Sequence, residues 1–282
     1  MLEFFQPEIL AHKIRVYFAY YVISLKSILS YRLAFFSATL FEFVNPIFYI
    51  VLWTSVAHFS AKGQIGDFNE YSIAAYYLLG TLINRISGMA AARNIIQLIR
   101  GRSEVPVTYF MLNDLNFVIC MTLQFMARVV FVAFTSLILI ILATVFYPQI
   151  WSDLHLNAFN IISTLITLVL GTIVISIFNS IVGLLQFYVR NANDYRSIID
   201  LLTGFFAGKV LPLSFLPVVF RNITSFLPFS FSFYFPISII LGKKSPFEIY
   251  LGMIICTVWI FILFFIQRAM YKHGLNHYDN LT

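Results

Sequence analysis

The sequence has little charge. Asp, Glu, Lys and Arg make up 11% of its 282 residues, where a soluble domain carries roughly 25%. Beside 60% hydrophobic residues, that shortage excludes an ordinary soluble fold and predicts an integral membrane protein. Cysteine is scarce too. Cys120 and Cys256 both sit in apolar runs and read as small hydrophobes, not as a disulfide, a metal site or a nucleophile. A phosphate-binding loop is missing: Gly204-Phe205-Phe206-Ala207-Gly208-Lys209 ends in Gly-Lys, but the spacing is wrong and Val210 stands where Ser or Thr is needed. There is no His-Glu-x-x-His pair and no Gly-x-Ser-x-Gly. His273 and His277 are four apart, yet Gly274 between them suits a solvated end better than a metal site. These absences predict no catalytic residue, no metal and no cofactor held by the chain itself. The net charge of +6 is read as cytoplasmic retention charge and not as a nucleic-acid surface. No cleavable leader is expected, because Lys13, Arg15 and Lys26 fall where its apolar core would lie.

What the chain does have is long apolar runs. Five lie at about 33–57, 71–91, 117–147, 159–189 and 247–271, each long enough for the ~20 helical residues of a bilayer core. A further stretch, 197–241, holds only three charges, Asp200, Lys209 and Arg221, and is too long for one crossing. Pro212, Pro217, Pro228 and Pro236 punctuate it, each disfavouring a straight helix through its site. The reading is a span over 197–210, then a re-entrant region over 211–241 that dips into the outer membrane and turns back. Its helical pieces are expected at 211–220 and 229–241, ~15 and ~20 Å long, too short to cross. Irregular backbone survives at membrane depth only where protein or a water-filled cavity covers it, so something is expected to move or enter there. The fold class that follows is all-α integral membrane, with six transmembrane helices and re-entrant helices between spans five and six.

Residues 1–32 form a separate unit ahead of the six-span domain, 33–282. Glu8, His12, Arg15, Lys26 and Ser30 fall within about 60° of one another on a helix, which predicts a basic amphipathic helix on the inner membrane surface. It is either an anchor or a docking platform for a cytoplasmic partner. Lys and Arg set the orientation. With both termini cytoplasmic, Lys13, Arg15, Lys26, Arg32, Arg93, Arg100, Arg102, Arg190, Arg196, Arg268 and Lys272 lie inside, against Lys62, Lys209, Arg221, Lys243 and Lys244 outside. The Lys243-Lys244 pair is on the wrong side by this rule.

Charges within spans are costly, at least ~2.5 kcal/mol at the centre unless satisfied. Glu42 lies ~14 Å and Arg128 ~16 Å from the inner ends of their spans, which predicts a pair, either a structural tie or a substrate-handling one. Gly204 and Gly208 make a Gly-x-x-x-Gly spacing, a subunit-contact face or internal packing. Ser176, Asn179, Ser180 and Gly183 form a similar small stripe in the fourth span. Between spans two and three, Gly101 breaks the helix, and a short helix can follow Pro106 as far as Asn113-Asp114. Such a tip helix could carry a push from a soluble motor to the spans; otherwise this is an ordinary charged loop.

Several of these features together resemble the permease subunits of type-2 ABC (ABC-2) exporters. They are the surface helix ending at Tyr31-Arg32, six spans, and the loop Ile99-Arg100-Gly101-Arg102-Ser103-Glu104. Others are Gly208 with Pro212-Leu213-Ser214-Phe215-Leu216-Pro217, Leu227-Pro228-Phe229, Tyr234-Phe235-Pro236 and Gly274-Leu275-x-x-Tyr278. More narrowly, the chain is similar to a bacterial subgroup of ABC-2 permeases often encoded as two different permeases beside one ATPase. It departs from the family in the inner loop, where Pro106 comes early and is followed by Val107 and Thr108 in place of a later Leu-Leu-x-Pro. The resemblance implies a multi-pass protein of the bacterial plasma (inner) membrane, paired with a second permease, identical or homologous. Two copies of an ATPase subunit would bind the ATP and Mg. Arg15 and Lys26 of the surface helix, with Arg100, Gly101, Arg102, Glu104 and Pro106, would couple to the ATPase. Spans one and five would line the dimer interface, with Gly204 and Gly208 on it. Pro212, Pro217, Pro228 and Pro236 would fall on the outer gate. Membrane lipid is the other expected partner, and nucleic acid is not one. The rival reading is a self-sufficient secondary transporter or channel, which tends to show matched broken helices in two halves; no such match is visible. The 32 Phe and 16 Tyr suit a greasy or amphipathic cargo, but bilayer contact explains them equally.

Overall fold

Amides that cannot reach water must pair within their own segment, and in a chain this apolar that means helix. The computed structural model describes residues 7–30, 32–60, 63–86, 90–101, 107–112, 115–146 and 148–279. Its helices are α1 (Pro7–Ser30), α2 (Arg32–His58), α3 (Glu70–Ile86), α4 (Ala90–Ile99), α5 (Val107–Leu112), α6 (Phe117–Phe146), α7 (Ala158–Leu184), α8 (Ala192–Phe206), α9 (Val218–Phe226), α10 (Tyr234–Ile240) and α11 (Pro246–Asp279). One small hairpin, β1 (Gln64–Ile65) against β2 (Phe68–Asn69), joins α2 to α3.

Helices α2, α6 and α7 follow the expected apolar runs closely, and α11 continues past residue 271. The run expected at 71–91 holds α3 as far as Ile86 and the start of α4 from Ala90, with residues 87–89 outside the described ones. α8 lies at Ala192–Phe206, shifted toward the N-terminus from the expected 197–210. α5 occupies the place given to a short helix after Pro106. Among the described residues, Ala158–Phe187 and Pro246–Asn276 are long and apolar enough to cross a membrane by length and composition, and Pro46–His58 is a shorter apolar helix.

α7 stands at the centre, packed against α4, α8, α10 and α11. Its inward face is small and polar: Ser163, Thr167, Gly171, Asn179, Ser180 and Gly183 are buried. Small side chains let neighbours approach closely. A Cβ on Gly183 would lie 2.7 Å from Ile95 of α4. The small stripe read in the fourth span is therefore internal packing.

Segments 63–69, 148–157 and 207–245 gather at one end of the molecule. The His155 amide donates to the Ile240 carbonyl (2.9 Å), and Asn69 Nδ2 donates to Asp153 Oδ2 (2.8 Å). At the opposite end, the Asn116 amide donates to the Tyr17 hydroxyl (3.0 Å) and the Tyr188 hydroxyl to the Met270 carbonyl (2.9 Å).

The segment leading into the first turn of α10 is seated in a socket that glycines make. A Cβ on Gly171 of α7 would lie 2.0 Å from the Phe231 carbonyl oxygen, one on Gly80 of α3 2.4 Å from the Phe233 ring, and one on Gly252 of α11 2.1 Å from the Phe235 ring. Three helices thus each give up a side chain, at about 1 kcal/mol of helix propensity apiece, to admit one aromatic segment. Gly171→Ala is expected to destabilise by about 1–3 kcal/mol, the usual cost of overpacking, because a backbone carbonyl cannot step aside. Gly204→Ala, with nothing within 4 Å of its Cβ position, should be neutral or stabilising. Thermal unfolding in detergent measures both, and equal losses at the two positions would contradict the socket.

Candidate functional site

α8 is 15 residues long, about 22 Å of helix, against a hydrocarbon core of about 30 Å. Its stop is built into the sequence. Gly208 takes φ +85°, a conformation glycine adopts without strain. The Gly208 amide donates to the Phe205 carbonyl and the Lys209 amide to the Gly204 carbonyl, both at 3.0 Å. These two bonds form a Schellman motif, which closes a helix with a left-handed residue just past its end.

This corrects the reading of Gly204 and Gly208 as one contact face. α8 has ended before Gly208, which is buried. A Cβ there would lie 2.8 Å from the Tyr76 hydroxyl and 3.0 Å from Tyr234 Cβ. Gly204 alone faces open space.

A helix that stops inside apolar surroundings leaves carbonyls without partners. Here aromatic side chains from other helices supply the donors. The Tyr76 hydroxyl of α3 donates to the Gly208 carbonyl at 2.7 Å. The Tyr77 hydroxyl and Trp53 Nε1 of α2 both donate to the Val210 carbonyl at 2.9 Å. The Tyr234 amide donates to the Ala207 carbonyl (3.1 Å), so residues 208–233 leave the end of α8 and return to it. The sequence reading singled out none of Trp53, Tyr76 or Tyr77. The available signal was a pair of adjacent tyrosines in an apolar helix, since a buried tyrosine hydroxyl needs a partner.

Within the excursion the prolines divide. Pro212, Pro228 and Pro236 are buried. Pro217 is exposed and sits immediately before α9. The helical pieces fall at 218–226 and 234–240, not at 211–220 and 229–241, because Pro212 and Pro217 hold extended backbone (ψ 134° and 150°). Trp259 Nε1 of α11 donates to the Phe226 carbonyl (2.8 Å) and pins the end of α9.

At the opposite end, Arg100, read as an ATPase-coupling residue, is half-buried and makes bonds within the chain. Its Nε donates to Gln186 Oε1 (3.0 Å), and one Nη donates to the Arg190 carbonyl (3.2 Å) and to Asn191 Oδ1. It ties the end of α4 to the α7–α8 junction. Gly101, exposed at φ +65°, ends α4. Arg15 and Lys26 are exposed on α1. Tyr17 and Tyr20 of α1 pack with Phe117 and Met121 of α6, while Ile14, Phe18 and Ile23 are uncovered. Arg102, Glu104 and Pro106 lie outside the described residues, as do the side chains of Glu42 on α2 and Arg128 on α6. A charge pair the sequence reading did not name sits on α8 itself, Arg196 with Asp200 at 3.1 Å.

A family model described as "ABC-2 family transporter protein" matches residues 43–281. No curated protein matches the chain.

The aromatic donors generate an ordered expectation. Tyr76→Phe strands the Gly208 carbonyl and should lower stability by about 1–3 kcal/mol, the desolvation penalty of an unpaired buried acceptor. Tyr77→Phe should cost less, because Trp53 still serves Val210. Thermal unfolding of the two variants in detergent ranks them, and the reverse order would mean that the hydroxyls are not holding these carbonyls.

Proposed function

The chain belongs to the ABC-2 family of transporters, and on that premise we propose that it is the permease of an ATP-driven exporter whose ATPase is a separate subunit. The observation that carries this reading is the arrangement around α8. Its outer end opens into a proline-rich excursion closed on itself at Ala207 and Tyr234. Its inner end is tied through Arg100 to the tip between α4 and α5.

In this reading the spans are α2, α3, α6, α7, α8 and α11, and α9 and α10 are re-entrant helices capping the outer exit. Both termini face the cytoplasm of a bacterium. α1 lies on the inner face, with Ile14, Phe18 and Ile23 toward lipid and Arg15 toward the ATPase or acidic headgroups. Two ATPase copies, carrying ATP and Mg, dock on α1 and on the loop that holds Arg102, Glu104 and Pro106. A second permease, identical or homologous, packs on α8, whose Ile198 and Leu201 are 62% and 72% exposed and whose Gly204 is open. Trp53 joins the end of α2 to the same face. Glu42 and Arg128 pair between α2 and α6. Arg100 transmits movement of the inner tip to the α7–α8 junction and so to the cap.

Two measurements test this. The purified chain alone should hydrolyse no ATP, since no phosphate-binding loop exists in it, and it should change the turnover of a co-purifying ATPase. Arg100→Gln should leave that complex assembled but uncouple its turnover from transport. ATP turnover by the chain alone would overturn the reading. In a background lacking Cys120 and Cys256, a cysteine replacing Asn222 on α9 should react with an impermeant thiol reagent added to intact cells, and one replacing His12 on α1 should not. Labelling of the Asn222→Cys variant only after permeabilisation would place α9 inside and sink the outer cap.

A further inference from the structure

Beside the excursion lies a cavity of about 410 Å³, within the roughly 300–1,000 Å³ of small-molecule sites and larger than a bare inorganic anion needs. Its rim carries Arg221 of α9, Lys243 and Lys244 of the turn before α11, Asp67 of the hairpin and Glu248 of α11. Glu248 is already committed. It takes Lys244 Nζ at 2.8 Å and the Ser245 amide at 2.9 Å, while its own amide donates to Ser245 Oγ at 3.3 Å. That is a capping box with an added ion pair. Arg221 and Lys243 are left against Asp67, a net charge of one positive. Lys243 sits 5.5 Å over the Phe68 ring, which holds its ammonium near the cavity without neutralising it.

The other wall is apolar. Leu251 and Ile255 of α11 and Phe226 of α9 line it, and from Glu248 to Ile255 the cavity follows α11 for about 10 Å. Charged groups beside an apolar strip of α11 in one cavity fit an amphiphile. The Lys243-Lys244 pair also breaks the rule that keeps basic residues off the outer side, and orientation does not explain it. We propose that this cavity binds the singly anionic phosphodiester head of an amphiphile in the outer leaflet, with Arg221 and Lys243 on the phosphate and the chain start along Leu251 and Ile255. The leaflet assignment rests on the orientation proposed above; the head-group chemistry does not.

The test uses the full chain in dodecyl maltoside with tail-labelled phosphatidylglycerol, tail-labelled phosphatidylcholine and inorganic phosphate as probes. Saturable binding of phosphatidylglycerol is expected, with phosphatidylcholine much weaker. Arg221→Gln and Lys243→Gln should each weaken it about fivefold, the usual effect of one basic residue facing an anionic lipid surface. Asp67→Asn should tighten it, an opposite sign that misfolding cannot mimic. Equal binding of the two lipids, or no response to Arg221→Gln and Lys243→Gln, would overturn the proposal. So would full displacement by inorganic phosphate with no phosphatidylglycerol binding of its own, which would make the site one for a free anion. Sidedness plays no part in micelles, so failure here leaves the transport reading and the thiol-labelling result untouched.

Discussion

A helix that stops in apolar surroundings must find donors for its last carbonyls, and the end of this molecule where α8 stops is organised by that need. α8 stops at Phe206. Gly208 turns the chain so that two carbonyls are satisfied locally. The next ones, at Gly208 and Val210, are met by Tyr76, Tyr77 and Trp53. Together those bonds bring two helices, α3 through both tyrosines and α2 through the tryptophan, to the same point. α2 and α3 are thereby fixed against the end of α8 by hydrogen bonds that are strong in a low-dielectric setting, and the excursion that follows begins from a fixed place.

The same economy of space governs how the excursion is held. Phe231, Phe233 and Phe235 alternate along the return segment, and Gly171, Gly80 and Gly252 stand opposite them on three helices. Rings also meet one another: Tyr76 with Phe233, and Phe231 with Phe235, are edge-on pairs, a geometry that adds to simple burial. The return segment is thus gripped through ring and backbone contacts. α9 is held more lightly, by Trp259 at one end, with Val218, Val219, Phe220 and Ile223 uncovered. Two pieces of one excursion differ in how firmly they are packed, and in the proposed cap α9 is the piece free to shift.

Much of this was legible in the sequence because apolar length and proline act locally. The long runs became α2, α6, α7 and α11 at nearly the expected positions, and the backbone is extended at Pro212 and Pro217, but α8 ends earlier than expected, at Phe206, because Gly208 and not a proline closes it. The errors have local causes too. Gly208 belongs to two patterns, a Gly-x-x-x-Gly face and a helix stop, and spacing alone cannot tell whether the helix still exists at the second glycine. Other bonds lay beyond any local reading: the partners of Arg100, Gln186, Arg190 and Asn191, are some 90 residues away along the chain, where no periodicity reports them. The aromatic donors to Gly208 and Val210 are more than 130 residues from their acceptors, and no local rule connects them.

These bonds give α8 an unusual standing. Its N-terminal junction is tied through Arg100, and its C-terminal end through three aromatic donors and Tyr234. Along its length Tyr195, Ile198, Leu201 and Leu202 are about half exposed or more. Leaving any of these end bonds unmade in apolar surroundings is costly, so a movement of α8 must exchange hydrogen-bond partners at its ends. In the proposed permease that makes α8 the element able to link the two faces. On that proposal a push on the α4–α5 tip would reach it through the Arg100 knot, a second permease would cover the open face along which it moves, and the far end would deliver the movement to the point where the excursion starts and closes.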